Sequence, residues 1–298
     1  METHRFAVVE APSALGLRND GVARLPEALL ATGLAERLAA RRAGRVEPPP
    51  REPEPDADTG VRNADGVAGY ATRLAAAVGD VLDRGEFPVL LGGDCSILLG
   101  SMLALRDRGR HGLLFVDGHA DFYQPAADPE AEAASMELAF ATGRGPRLLA
   151  DLEGRGPLVR DEDVALFGFR DGEQQALDGS QPVPPRLPTW DLAKVRRLGV
   201  EGAAHQAVDQ VTRPELAGFW IHLDADVLND AVMPAVDYRL PGGLAWHELA
   251  TVLDTAMASG RAVGFEVTIY NPDLDQDGVA GHELARLIGR SLAGDPAA

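Results

Sequence analysis

Residues 112–121 read GLLFVDGHAD, a short apolar run that leads into two acids and a histidine. A continuous apolar run of this length, begun by a glycine and ended by charged residues, is typical of a strand buried in a parallel sheet. Asp117, His119 and Asp121 stand at alternate positions, so their side chains would point the same way if the segment stays extended. The segment therefore predicts a buried strand from Gly112 to Val116 whose carboxyl end carries possible metal ligands.

The rest of the chain alternates short apolar runs with helical patterns. Strands are predicted near residues 6–9, 88–91, 164–168, 219–223 and 262–267, and helices near residues 25–41, 63–84, 96–107, 206–211, 246–259 and 281–292. Glycine and proline bound the apolar runs, and this alternation predicts an α/β fold with a parallel sheet covered on both faces. In such sheets, ligands bind just beyond the carboxyl ends of the strands.

Length and composition favour one large domain. With 298 residues and 45% hydrophobic content, the chain can bury a full core, and we expect residues 1–298 to form a single domain. The segment 45–59 contains five prolines among acidic residues, including Pro53, and predicts an exposed loop. It is not interpreted as a domain linker, because the segment before it is too short for a core of its own.

The net charge and the cysteine count limit the binding partners and the disulfide bonds that the protein can have. A net charge of -18 and a pI near 4.7 argue against nucleic acid and against an anionic membrane as partners. Cys95 is the single cysteine, so an intramolecular disulfide is excluded. No signal-like segment and no apolar run of roughly 20 residues is present, and we expect a cytoplasmic protein.

Two further acidic motifs follow predicted strands. Asp224 and Asp226 come directly after the apolar run 220–223, and Glu266 lies within the run 263–267. Acids that converge at buried strand ends repel and desolvate one another unless a cation compensates them. With the first motif, Asp224 and Asp226 supply enough oxygen ligands for two divalent ions that share carboxylates. Taken alone, the first motif has a helix cap or a surface turn as its structural alternative, and Asp224 with Asp226 has a pair of acids in a loop.

Four motifs carry a resemblance to a known family. They are Gly92-Gly93-Asp94-Cys95-Ser96, Asp117 to Asp121, Asp224 to Asp226, and Phe265-Glu266-Val267. In this order they resemble the Gly-Gly-Asp-His-Ser, Asp-x-His-x-Asp, Asp-x-Asp and Glu-Val segments of the arginase and agmatinase family of ureohydrolases. The resemblance extends over most of the chain.

The resemblance implies a three-layer α/β/α fold with a mostly parallel central sheet and a two-ion Mn²⁺ centre at its carboxyl edge. Asp117 and Asp224 would each bind both ions. Asp121 and Cys95 would complete the site of one ion, and His119 and Asp226 would complete the site of the other. A hydroxide held by the ions would attack the guanidinium carbon. Asp121 would pass its proton to the leaving nitrogen, and Glu266 would pair with the substrate cation. The family also implies a homo-oligomer, as a trimer or hexamer.

Cys95 departs from the family pattern, which has a metal-binding histidine at this position. Thiolate suits zinc or iron better than manganese, so Zn²⁺ or another divalent metal is an alternative at this subsite, and a buried, unreactive cysteine is another. Ala134 likewise replaces a family histidine that shuttles protons. Glu137 is a candidate acid or base in its place, with a solvated helix residue as the alternative. Glu173 is a candidate for binding a substrate ammonium group.

These patterns favour a metal-dependent amidinohydrolase. Its substrate would be a small cationic guanidino or N-hydroxyguanidino compound, such as arginine, N-hydroxyarginine, agmatine or a guanidino acid, and its product urea or hydroxyurea. One alternative is a single-metal, deacetylase-like hydrolase of an amide. Another is a non-catalytic family member that binds a cationic metabolite. His222, inside the strand before Asp224, is interpreted as a core residue or a support for a ligand.

Overall fold

The computed structural model describes residues 4–52 and 54–294. The two ends of the expected 1–298 domain, and Pro53 within the proline-rich loop, lie outside the described residues. The helices and strands, in chain order, are β1 (Phe6–Glu10), α1 (Leu25–Ala31), α2 (Leu34–Arg37), β2 (Arg41–Arg45), α3 (Ala64–Asp83), β3 (Phe87–Leu91), α4 (Leu98–Arg106), β4 (Gly112–Val116), α5 (Glu137–Ala141), α6 (Arg147–Ala150), β5 (Val164–Phe167), α7 (Gly172–Asp178), β6 (Thr189–Trp190), α8 (Leu192–Leu198), α9 (Val200–Val211), β7 (Phe219–Asp224), α10 (Trp246–Ala258), β8 (Ala262–Thr268) and α11 (Val279–Ala293).

The eight strands form one sheet in the order β2-β1-β3-β8-β7-β4-β5-β6. Every neighbouring pair is parallel, so the sheet is parallel throughout rather than mostly so. Strands β3, β4 and β7 are buried along their whole length. Such strands read as continuous apolar runs because both of their faces are covered, which is the pattern that predicted them.

Helices cover both faces of the sheet and bury two apolar cores. One core lies between the sheet and α3 to α6, and it includes Leu74 and Leu103. The other lies between the sheet and α1, α2 and α8 to α11, and it includes Leu253 and Ile288. Each fully buried leucine or isoleucine contributes about 1.5–3 kcal/mol to folding. The three layers confirm the predicted α/β/α fold.

Several elements differ from the sequence predictions. The helix predicted over residues 25–41 is two short helices, α1 and α2, followed by strand β2. The polar sequence RRAGR of β2 gave no strand signal, yet this strand pairs with β1 at one edge of the sheet. Strand β6 and helices α5 to α8 were also not predicted, whereas β4 has the predicted bounds.

The order of the central strands decides where the acidic motifs meet. Strands β3, β8, β7 and β4 are consecutive neighbours, and the segments that carry Cys95, Asp224 and Asp117 follow β3, β7 and β4 or end them. Because the strands are parallel, these segments emerge at the same edge. Separately, among the helices of the described residues, none has both the length and the apolar character that crossing a bilayer requires.

Candidate metal centre

The turn after β4 brings Asp117, His119 and Asp121 together, although it does not stay extended as predicted. The Asp117 Oδ1 atom accepts a hydrogen bond from the His119 backbone N–H at 2.6 Å, and Asp121 has a positive φ of 46°. That conformation is uncommon for a residue other than glycine. One ligand atom from each of the three side chains nevertheless lies within 4.8 Å of the others. The convergence therefore comes from a tight turn and not from strand alternation.

A matching turn after β7 holds the second acid pair. The Asp224 Oδ1 atom accepts a hydrogen bond from the Asp226 N–H at 2.6 Å. Asp226 joins the two turns, since its Oδ1 accepts from the Gly118 N–H at 3.0 Å and its Oδ2 lies 2.8 Å from His119 Nδ1. Ligand atoms of Asp117, Asp224 and Asp226 lie within 4.8 Å of one another. Two segments that are distant in sequence thus meet around Asp117.

The acids of this cluster are buried, and their surroundings disfavour the ionised form of each carboxyl group. Asp117 is 0%, Asp224 2% and Asp121 6% exposed. Burial raises the pKa of each of the three carboxyl groups well above its usual range, and neighbouring acids raise it further. A bound divalent cation reverses this preference, because its charge stabilises nearby carboxylates. The burial and the like charges indicate a site that a cation completes.

His119 and Asp226 form an ion pair at the open side of the cluster. Burial lowers the pKa of His119, but the adjacent Asp226 carboxylate outweighs that effect and raises it to about 9. Burial likewise opposes ionisation of Asp226, yet His119 brings the pKa of that acid below its usual value. With 21% of its side chain exposed, His119 is the one predicted ligand that is not buried. A cation that binds the His119 ring must displace its proton.

Cys95 lies in the turn after β3 and faces the same cluster. It is 1% exposed, its thiol donates a hydrogen bond to Asp224 Oδ2 at 2.9 Å, and its sulfur lies 3.1 Å from Thr268 Oγ1. Burial, together with the charge of Asp224, raises the pKa of the thiol well above its usual range. The turn needs glycine at position 93, where a Cβ atom would lie 1.7 Å from the Ser13 carbonyl oxygen.

Glu137 also belongs to the cluster, so its interpretation as a solvated helix residue is wrong. It is the first residue of α5 and is fully buried. Neither of its carboxylate oxygens has a hydrogen-bond partner among the described residues. Burial raises its pKa well above the usual range; the neighbouring Asp121 carboxyl group opposes this shift, and the charge of Asp117 adds to it. A ligand atom of Glu137 lies within 4.8 Å of ligand atoms of Cys95 and Asp117.

The two residues predicted to contact a substrate, Glu266 and Glu173, are not members of the three groups of possible metal ligands among the described residues. Glu266 is fully buried within β8, and both of its oxygens are engaged: Oε1 lies 2.7 Å from His222 Nδ1, and Oε2 accepts a hydrogen bond from Ser101. In this arrangement Glu266 contacts His222 and Ser101, and its pairing with a substrate cation stays a prediction. Glu173 is exposed in the first turn of α7, and within residues 4–52 and 54–294 it makes no ion pair with the cluster.

Arg170 and Asp171, neighbours of opposite charge in the sequence, have separate partners. The Arg170 guanidinium donates to the backbone carbonyls of Asp226 and Leu228, at 2.9 and 3.2 Å. Asp171 Oδ1 accepts from the Ala120 N–H at 3.2 Å. Each side chain therefore fixes one of the two ligand-bearing turns.

His222 is the functional candidate that sequence reasoning underrated. It is fully buried, and its Nε2 atom lies 4.0 Å from Asp117 Oδ2, too far for a hydrogen bond. Neither of these two atoms has a partner among the residues that the structure describes. The available signal was its position two residues before Asp224, which places both side chains on one face of the strand.

The side chains present fit divalent cations. Asp117, Asp224 and Asp226 form one group of ligand atoms, and Asp117 recurs in the groups with His119 and Asp121 and with Cys95, Glu137 and His222. Carboxylates and an imidazole are ligands for divalent cations, and carboxylates shared between two ions can hold them side by side. Asp117, common to all three groups, is placed to bridge them.

Comparisons with known proteins give a consistent result over nearly the whole chain. The profile of the arginase family matches residues 5–294. An arginase of Staphylococcus aureus (strain COL) is 26% identical, with 97% of each chain covered. An arginase of Bacillus caldovelox is 27% identical, with 97% of this chain and 98% of the relative covered.

Solved structures show the same similarity in three dimensions. The arginase of Bacillus caldovelox superposes with a TM-score of 0.88 at 26% identity, covering 99% of this chain and 100% of the other. The proclavaminate amidino hydrolase of Streptomyces clavuligerus superposes with a TM-score of 0.69 at 17% identity, covering 97% of this chain and 90% of the other. At that lower identity, the likeness concerns the fold alone.

Proposed function

The chain belongs to the arginase family, and from this premise we propose that it hydrolyses the C–N bond of a guanidino or N-hydroxyguanidino compound and releases urea or hydroxyurea. The observation that carries the proposal is the convergence of Asp117, His119, Asp121, Asp224 and Asp226 at the carboxyl edge of the sheet. Divalent ions held by these side chains would supply an activated water at neutral pH and would polarise the scissile group. We propose two Mn²⁺ per chain, with Zn²⁺ as an alternative near Cys95.

The protein side chains would divide the remaining work. Asp121 would take the proton of the attacking water and deliver it to the leaving nitrogen, because a ligand atom of its carboxyl group lies within 4.8 Å of ligand atoms of Asp117 and His119. Glu137 lies close enough to Asp121 to raise the pKa of the Asp121 carboxyl group in the metal-free cluster. His119, the exposed ligand, would mark the side from which a substrate arrives.

A cationic substrate is favoured by charge. The chain carries a net charge of -18, and a surplus of acids around a cleft attracts cations and raises their local concentration. With Glu266 committed to His222 and Ser101, we propose that exposed acids such as Glu173 contact the polar groups of the substrate instead. We also propose a cytoplasmic homo-oligomer, a trimer or hexamer, with no nucleic-acid or membrane partner.

A substrate panel tests the activity. Purified protein loaded with Mn²⁺, and separately with Zn²⁺, is incubated with arginine, N-hydroxyarginine, agmatine and guanidino acids, and urea and hydroxyurea are measured. We expect one product to accumulate with the wild type and to be lost in Asp224→Asn. The exposed Asp209→Asn is the matched control and should retain the activity. Absence of both products under both metal loadings would contradict the proposal.

A second candidate is a single-metal hydrolase of an amide, and the specific observation in its favour is Cys95, whose sulfur suits zinc better than manganese. Elemental analysis separates the two: one tightly held zinc per chain and release of acyl groups from acylated amines would support the second candidate. For a non-catalytic family member, Cys95→His would leave both metal affinity and turnover unchanged.

A further inference from the structure

Four buried atoms at the carboxyl edge of the sheet lack any hydrogen-bond partner among the described residues. They are Asp117 Oδ2, Glu137 Oε1, Glu137 Oε2 and His222 Nε2. The three residues are fully buried. Polar groups in such positions cost free energy unless something pairs with them, and unpaired buried groups commonly mark the position of an ion or a functional contact.

The unpaired atoms face one another and face Cys95. One ligand atom each from Cys95, Asp117, Glu137 and His222 lies within 4.8 Å of the others. The four side chains come from four segments: the turn after β3, the turn after β4, the first residue of α5, and β7. Their convergence is therefore a product of the tertiary fold and not of one local turn.

The ring of His222 is held in the orientation that a metal ligand needs. Its Nδ1 lies 2.7 Å from Glu266 Oε1, and the other oxygen of Glu266 accepts a hydrogen bond from Ser101. The ring also stacks on Phe115, with centroids 4.5 Å apart and planes 11° apart. When Nδ1–H donates to the carboxylate, Nε2 carries a free lone pair, which is the tautomer that binds metals.

We propose that Cys95, Asp117, Glu137 and His222 form a metal subsite in which His222 supplies, from strand β7, the imidazole that position 95 lacks. Glu137 supplies a further carboxylate, and Glu266 and Ser101 position the imidazole without touching the ion. Metal binding displaces the thiol proton of Cys95 to solvent, since the thiolate is the ligand form.

The ligand atoms also indicate which metal this subsite binds. One sulfur, one imidazole nitrogen and two carboxylate oxygens match a four-coordinate zinc site, whereas Mn²⁺ prefers oxygen ligands. The subsite is therefore selective for zinc-like ions, including Co²⁺. This inference deepens the metal part of the proposed function but does not depend on turnover, because ion binding is measurable in a protein that hydrolyses nothing.

Cobalt spectroscopy tests the ligand set directly. The full-length protein is stripped with a chelator, dialysed and titrated with Co²⁺, and the near-ultraviolet band of a cobalt–thiolate bond is recorded. We expect the band in the wild type and its loss in Cys95→Ser, a change of a single atom. His222→Asn keeps an amide donor for Glu266 but removes Nε2, and it should weaken Co²⁺ and Zn²⁺ binding at least about tenfold, as should Glu137→Gln. His205→Asn, on the exposed face of α9, is the matched control and should bind both ions like the wild type.

The outcomes separate this inference from the proposed activity. A thiolate band that weakens in His222→Asn and Glu137→Gln supports the subsite even if no urea or hydroxyurea forms. No thiolate band in the folded wild type overturns it, even if a Mn²⁺-loaded sample is active. An unchanged cobalt affinity in folded His222→Asn removes His222 from the ligand set and also overturns it. Circular dichroism establishes folding, and if His222→Asn does not fold, Cys95→Ser and Glu137→Gln decide the matter.

Discussion

His222 Nδ1 lies 2.7 Å from Glu266 Oε1, and the two residues stand opposite each other on adjacent strands β7 and β8. Both are fully buried. Removal of the carboxylate would leave the imidazole and the Ser101 hydroxyl without their partner in the sheet. This gives Glu266 a structural role that does not require contact with any substrate.

Glu266→Ala should therefore lower the free energy of unfolding of the metal-free protein by about 1.5–3 kcal/mol, because it leaves the buried imidazole N–H and the Ser101 hydroxyl without their charged acceptor. Glu266→Gln keeps an acceptor and should cost less. Urea denaturation measures both. Glu201→Ala, on the exposed surface of α9, is the control and should change stability by less than about 1 kcal/mol. Equal losses in Glu266→Ala and in the control would contradict the structural role.

Asp117→Asn should have opposite effects with and without metal. In the presence of a chelator, the variant removes one acid from a cluster whose members raise one another's pKa, so we expect it to be at least as stable as the wild type. The amide still accepts from His119. Free Mn²⁺ at 100 times its dissociation constant should stabilise the wild type by about 2.7 kcal/mol, and the variant much less. Thermal unfolding with and without Mn²⁺ gives the four values.

Asp161→Asn provides the contrast to Asp117. Asp161 is also buried but binds Arg144, at 2.6 and 2.7 Å, and Arg186. Its replacement should cost about 1.5–3 kcal/mol, the range for hydrogen bonds to charged groups, whether or not metal is present. A destabilised Asp117→Asn protein that keeps its full response to Mn²⁺ would show that Asp117 is an ordinary structural acid.

Glu132 should make stability depend on pH below neutrality. Burial raises its pKa to about 7, although hydrogen bonds from Tyr238 and from the Arg18 backbone oppose this effect. Asp128 and Glu130 also raise the pKa. In the unfolded chain a glutamate ionises near pH 4.3. As the pH rises from that value to about 7, the unfolded state loses its proton first, so this group lowers the stability of the native state by about 1.4 kcal/mol for each pH unit in this interval.

The measurement is a difference between two proteins. Chemical unfolding of the wild type and of Glu132→Gln is followed from pH 4 to pH 8 at a constant metal concentration, so that contributions from the metal ligands cancel. We expect the stability of the wild type, relative to the variant, to fall through this window and to level off above it. A relative stability that rises with pH would mean that the Glu132 carboxylate is ionised at low pH in the native state.

Gly93 should be intolerant of any side chain. A Cβ atom there would lie 1.7 Å from the Ser13 carbonyl oxygen, which belongs to the backbone and has no easy way to move. Gly93→Ala should destabilise the protein by at least about 1–3 kcal/mol. Gly202→Ala is the matched control, since a Cβ atom at this position in the first turn of α9 meets nothing within 4 Å and should add at most roughly 0.5–1 kcal/mol through helix propensity. Thermal denaturation compares the two, and equal melting temperatures would contradict the steric argument.

The sequence predicts the centre of the sheet well because its strands are buried on both faces. The run before Asp117 has the same bounds in the structure as in the prediction, since an apolar run between a glycine and an acid admits few other interpretations. Strand β2 could not be found in this way. Its backbone pairs with β1, but its side chains are polar and exposed, so no hydrophobic pattern records the pairing.

The site shows the same division between local and non-local information. The cluster around Asp117 was predictable because the ligands follow apolar runs at strand ends. The surroundings of Glu266 and Glu137 were not predictable, because they depend on the register between β7 and β8 and on how deeply the first residue of α5 is buried. A single amino-acid sequence shows neither the strand register nor this burial. A buried glutamate at the start of a helix looks the same as a solvated one until the packing around it is known.

Strand β2 closes one edge of the sheet, and its arginines Arg41, Arg42 and Arg45 are each paired with a glutamate on a nearby segment. A row of guanidinium groups along an open strand makes it a poor template for the strand of another molecule. A continuous sheet that joins two copies of the chain is therefore disfavoured at this edge. The same row of charges should keep concentrated or partly unfolded material from growing into fibrils through this edge.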